Sequence, residues 1–157
     1  MSGFEFPLTD SELVDLGKLH CCSGYIENLL QLIILRAYGL DVDKGRLLIQ
    51  RMDLPQKVEI VSELASCGRL VSNSNWDSQK ICSRIRAFAT SRNRVAHSAW
   101  ARRIGSNDVR AVSLKQWGNF NQSIQPSELS GLVDEAQNLL NELSNILDAL
   151  VNGSSAK

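Results

Sequence analysis

With 157 residues, the chain suits one domain and is long enough to bury a real hydrophobic core. Hydrophobic residues at 43% and charged residues at 22% are ordinary for a globular chain and argue against disorder. Seventeen Lys and Arg against seventeen Asp and Glu give a formal net charge of zero, so bulk charge singles out no partner.

No run approaches about 18 uninterrupted apolar residues, which argues against a membrane helix. The opening Met1-Ser2-Gly3-Phe4-Glu5-Phe6-Pro7 lacks the basic and apolar regions of a signal peptide. A cytoplasmic protein without a membrane partner is the expectation. Cys21 and Cys22 are adjacent, and Cys67 and Cys82 stand alone, so no pair has the spacing of a zinc clamp. His20-Cys21-Cys22 on a helix points in different directions. Reduced thiols, no metal and no cofactor follow.

In chain order, Thr9 and Glu12 form a T-x-x-E capping box that opens a helix near Asp10. Leu13, Leu16, Leu19, Ile26, Leu30 and Ile33 continue its apolar stripe, and Gly39 is the stop. Gly17 and Gly24 inside it mark a close helix approach or a kink. Leu40 to Met52 reads as an irregular connection with a short helix over Arg46–Met52. Within it, Asp41-Val42-Asp43-Lys44-Gly45 has the flavour of a calcium loop, but Gly45 comes one residue early and Met52 stands where a Glu is needed, so a plain loop is expected. Asp53 and Gln56 cap a helix from Leu54 to about Ser66, ended by Cys67-Gly68. Asn73-Ser74-Asn75 is a turn-rich linker. Asp77 caps a third long helix running to about His97.

Trp100–Ile104 and Val109–Leu114, around Gly105-Ser106-Asn107-Asp108, read as a β-hairpin. Asn119 to Gln125 is loop, and Pro126 opens a final helix whose stripe runs from Leu129 through Val133, Ala136, Leu139, Leu143 and Ile146 to Leu150. The fold class predicted is all-α: a four-to-five-helix bundle with a small β-hairpin before the last helix. Residues 1–151 form a single domain, and 152–157 a fraying tail.

Charge is unevenly spread. From Lys80 to Lys115 nine bases face one acid, Asp108, a local charge of +8. Arg86, Arg94, Arg102 and Arg103 in this segment are candidates for phosphate contacts. A solvated basic face paired with acidic helices is the alternative.

Arg92, Asn93 and His97 stand inside the same segment as R-N-x-x-x-H. On an ideal helix Asn93 and His97 share a face, with Arg92 about 100° round, so all three border one pocket if the helix ends near His97. Arg grips two phosphate oxygens in bidentate fashion, and an imidazole can give or take a proton near neutral pH. A helix end where His97 meets the last carbonyls is the purely structural alternative.

The segment Ser91-Arg92-Asn93-Arg94-Val95-Ala96-His97-Ser98 resembles the R-x4-6-H motif of the HEPN family (higher eukaryotes and prokaryotes nucleotide-binding), including a polar residue after the Arg. The order of a long first helix, the motif late in a later helix, an insertion and a closing amphipathic helix is also similar. The resemblance is specific over those eight residues and covers the rest in outline. It implies a metal-independent endoribonuclease, a toxin or defence effector, in which a 2′-hydroxyl attacks the adjacent phosphate. His97 would handle the proton, Arg92 would stabilise the charged transition state, and Asn93 would orient a partner. RNA is the implied partner, with an antitoxin or regulatory protein besides. Toxins of this family silenced by nucleotide transfer carry a Tyr two residues after the His. Ala99 stands there, followed by Trp100, which puts that control in doubt.

In-line cleavage wants both a base and an acid. The motif offers one histidine per chain, with His20 expected far off on another helix, so a two-fold homodimer joining two motifs is predicted. The first and third long helices are candidate faces. A non-catalytic module of the same fold, binding RNA or a protein, is the second reading. Trp76, Trp100 and Trp117 can stack bases, but packing anchors are the commoner use.

Overall fold

A computed structural model describes residues 7–70, 77–102, 107–112 and 124–154. Its described part is mostly helical, with five α-helices and a two-stranded antiparallel ribbon before the last. The expected fold class is therefore observed. Asn73-Ser74-Asn75, Trp76, Arg103, the first half of the hairpin turn, Trp117 and most of the loop before Pro126 lie outside the described residues.

Helix α1 spans Asp10–Ala37 and begins where its capping box dictates. The Thr9 hydroxyl accepts from the Glu12 N–H, and the Glu12 carboxylate accepts from the Thr9 N–H at 2.7 Å. Such a box contributes about 1 kcal/mol by satisfying two amides that the first turn leaves open. Gly39, at φ +65°, turns the chain away after α1. Gly17 and Gly24 produce neither a break nor a close approach. A Cβ built at either meets nothing within 4 Å, and the helix runs through both.

Helix α2, Val42–Ile49, corrects the expectation for Leu40–Met52. Its cap is Asp41, whose carboxylate accepts from the N–H groups of Asp43 and Lys44. The Asp-x-Asp stretch is thus a helix start, four residues earlier than expected. Gly45 is where α2 meets α1: a Cβ there would sit 2.1 Å from Leu35 Cδ2. Helix α3, Leu54–Ser66, keeps its Asp53–Gln56 box and ends at Gly68, φ +66°. On its buried face Lys57 reaches Glu27 of α1 at 2.5 Å.

Helix α4 spans Ser78–Ala96, capped by Asp77. Strands β1, Ala99–Arg102, and β2, Val109–Val112, pair in the register Ala99↔Val112 to Arg102↔Val109. The Ala111 N–H donates to the Ile124 carbonyl at 2.9 Å, tying the ribbon to the segment before the last helix. A 3-10 turn, Pro126–Glu128, leads into α5, Leu129–Ser154. The helix continues through residues 152–154, into the stretch predicted to fray.

The core follows the sequence stripe. Leu129, Val133, Ala136, Leu139, Leu143, Ile146 and Leu150 are buried, each at a position spaced three or four residues from the last. They meet Leu19, Ile26, Leu30 and Ile33 of α1, and α1 packs most extensively on α5. Fully burying a side chain of this size contributes about 1.5–3 kcal/mol, so this pair is the spine of the bundle. Helix α4 lies across it through Ile81, Ile85, Phe88 and Val95. No helix among the described residues is long and apolar enough to cross a membrane.

Candidate functional site

The motif occupies the last two turns of α4, which ends at Ala96. His97 is the C-cap at φ −106° and ψ 15°, and its N–H still donates to the Asn93 carbonyl at 3.1 Å. One residue on, the Ser98 hydroxyl turns back to the Arg94 carbonyl, and Ala99 begins β1. Arg94 and His97 sit where the helix exposes its last carbonyls, the end that favours positive charge.

Arg92 and Asn93 meet directly. The Arg92 Nη1 donates to Asn93 Oδ1 at 3.1 Å, which fixes the plane of the guanidinium. Its Nε is enclosed and has no hydrogen-bond partner. Its Nη2 makes no hydrogen bond among the described residues and is not enclosed, so it is the nitrogen left for an acceptor. Among the described residues no carboxylate forms an ion pair with Arg92.

Arg92 lines a groove of about 490 Å³ between α1 and the end of α4. Leu13, Leu16, Gly17 and His20 form the α1 wall, and Val95, Ala96, Ser98 and Trp100 continue from Arg92 on the other. His20, expected far from the motif, therefore stands at the same groove as Arg92. Helix crossing explains this: the face that carries Leu13, Leu16 and His20 at intervals of three and four turns toward the end of α4. That spacing was visible in the sequence and marks His20 as a neighbour of the apolar stripe.

Asn93 and His97 lie outside the groove, and both are exposed. Within one chain, Arg92 joins Asn93 by a hydrogen bond and His20 by a shared groove, while His97 stays at the helix tip. The groove beside Arg92 therefore does not bring the three motif residues together.

The basic segment divides likewise. Arg84 is held by two carboxylates of α5, with Nε and Nη2 on Glu135 at 2.8 and 3.1 Å and Nη1 on Glu142 at 2.5 Å. Those hydrogen bonds push its pKa above the ordinary guanidinium range, so its charge is fixed. Arg86 pairs with Glu59 at 2.9 Å, and Arg110 with Asp108 at 3.0 Å. Arg94 and Arg102 are exposed, although Arg94 has a further interaction of its own. Three of the nine bases, Arg84, Arg86 and Arg110, are thus compensated by carboxylates, as the acidic-helix alternative anticipates, and Arg92 has a groove beside it instead.

Among the described residues no group of three or more His, Cys, Asp or Glu could hold a metal ion. Cys82 is buried, its Sγ 3.9 Å from the Val58 carbonyl, while Cys21 and Cys67 are exposed. Burial pushes the Cys82 thiol up, partly offset by the nearby Arg86. Comparison with protein-family models, curated proteins and solved structures finds no match to the chain.

Proposed function

We propose that the chain is a metal-independent endoribonuclease of the HEPN kind, with Arg92, Asn93 and His97 as its reacting residues. One observation carries the reading: Arg92 is oriented by Asn93, borders a groove, and lacks a carboxylate partner among the described residues, whereas Arg84, Arg86 and Arg110 are each paired. An uncompensated, oriented guanidinium matches two oxygens of a phosphodiester. In the reaction the 2′-oxygen bonds to phosphorus and the bond to the 5′-oxygen breaks. A 2′,3′-cyclic phosphate and a 5′-hydroxyl result. His97 moves a proton on this path, and Arg92 carries the charge gathering on the phosphate oxygens.

The active unit is a homodimer that brings two motifs together. The exposure of His97 at a helix tip supports this, as do Val14 at 55% and Tyr25 at 63% exposed on α1. The role follows as a toxin or defence effector in the cytoplasm, answering to an antitoxin or regulatory protein.

The test is cleavage of labelled single-stranded and transfer RNA in EDTA, with end-group analysis. Wild type is expected to cut and leave cyclic phosphate ends. An Arg92→Ala, His97→Ala double variant that cuts as well as wild type overturns the reading. The compensation of Arg84, Arg86 and Arg110 favours a second reading, a non-catalytic module binding RNA or a protein, which predicts binding without cutting.

A further inference from the structure

We propose that His20 completes the Arg92 site from the opposite wall, the two side chains gripping one phosphate of bound RNA with the adjoining base laid against Trp100. This rests on the ribonuclease reading for its choice of ligand and adds a residue that the motif does not contain. His20 projects from α1 and Arg92 from α4, and both line the same groove of about 490 Å³. That volume is in the range of small-ligand pockets, roughly 300–1,000 Å³. Leu16 and Val95 give it apolar walls, and Trp100, partly buried against the core, lines it too. No carboxylate of the described residues lines it, so nothing there repels a phosphate.

The side chains are available. His20 is exposed and makes no hydrogen bond or ion pair among the described residues. Arg92 uses Nη1 on Asn93 and keeps Nη2 without a partner among the described residues. One turn before His20, Gly17 leaves open space over the helix, where a Cβ would touch nothing within 4 Å. Two N–H donors beside an apolar slot with an aromatic wall are complementary to a nucleotide: phosphate on the donors, base on the indole.

The probe is a dinucleotide of 2′-deoxyuridine and adenosine, which lacks the attacking hydroxyl and is bound without being cut. Its affinity is measured by calorimetry for wild type, His20→Ala and Arg92→Ala, each checked for helical content, with the His20 ring signals followed by NMR. Both substitutions are expected to weaken binding roughly tenfold or more, since each removes a charge-assisted contact. Addition of probe is expected to shift the His20 ring signals in wild type. No binding by wild type, or His20→Ala binding within twofold of wild type, overturns the proposal. If RNA is cut while His20→Ala binds normally, the ribonuclease reading stands and this one falls. If the dinucleotide needs both residues yet RNA is never cut, the site stands and the ribonuclease reading falls.

Discussion

Arg84 and Arg92 lie on one helix, about 12 Å apart along its axis, and their surroundings are opposite. Arg84 faces α5, where Glu135 and Glu142 take its three nitrogens. Arg92 faces the first turns of α1, where the groove supplies leucine, glycine and His20 but no carboxylate among the described residues. The same side chain is a clamp between helices at one site and an unsatisfied cation at the other. Charge counted along the sequence therefore says where cations are, and only the packing says which of them are free to meet a ligand.

The clamp should give the larger effect on stability. Arg84→Met leaves Glu135 and Glu142 near each other with no cation between them. A loss of about 1–2 kcal/mol is expected, near the lower figure because the side chains are 27%, 34% and 37% open to water. Urea denaturation measures it, and the loss should shrink at high salt as screening weakens the wild-type network. An unchanged midpoint would make Arg84 a surface residue and erase one side of the contrast.

A smaller effect sharpens the locked half of α4. Burial raises the Cys82 thiol, so the folded chain keeps its proton at pH values where the unfolded chain ionises. The contribution is fully present below the ordinary thiol range of about 8.5–9 and is lost as pH rises through the folded value. Wild type is expected to lose more stability than Cys82→Ala between pH 7 and pH 10. In native protein Cys82 should also react with a thiol reagent after the exposed Cys21 and Cys67. Equal rates for the three would mean that this half of the helix opens easily.

Much of the bundle was legible because local rules and packing agree. The Thr9–Glu12 and Asp53–Gln56 boxes begin α1 and α3 where the sequence puts them, and the Leu129–Leu150 stripe is the buried face of α5. The α2 segment misled because Asp41-Val42-Asp43 suits an ion loop and a helix cap equally. The choice was made by Gly45, whose missing side chain lets α2 rest on Leu35. Arg92 and Asn93 were legible as a pair because neighbours on a helix end can meet through a long guanidinium. His20 was not, since its nearness to Arg92 depends on how α1 crosses α4, which no spacing within one helix encodes. The pairing of Arg84 with Glu135 and Glu142 was hidden for the same reason: the partners are more than fifty residues away.

The most direct test sets Arg92→Ala beside Arg84→Met, measuring denaturation and RNA cleavage in EDTA on the same preparations. Arg92→Ala should stay within about 0.5 kcal/mol of wild type, because no ion pair is lost. Its cleavage should fall at least about a hundredfold, the scale of removing a transition-state donor. Arg84→Met should do the reverse, melting earlier but still cutting at temperatures where it is folded. If Arg92→Ala cuts like wild type, or destabilises the fold as much as Arg84→Met, the division of α4 into a structural and a chemical half is wrong.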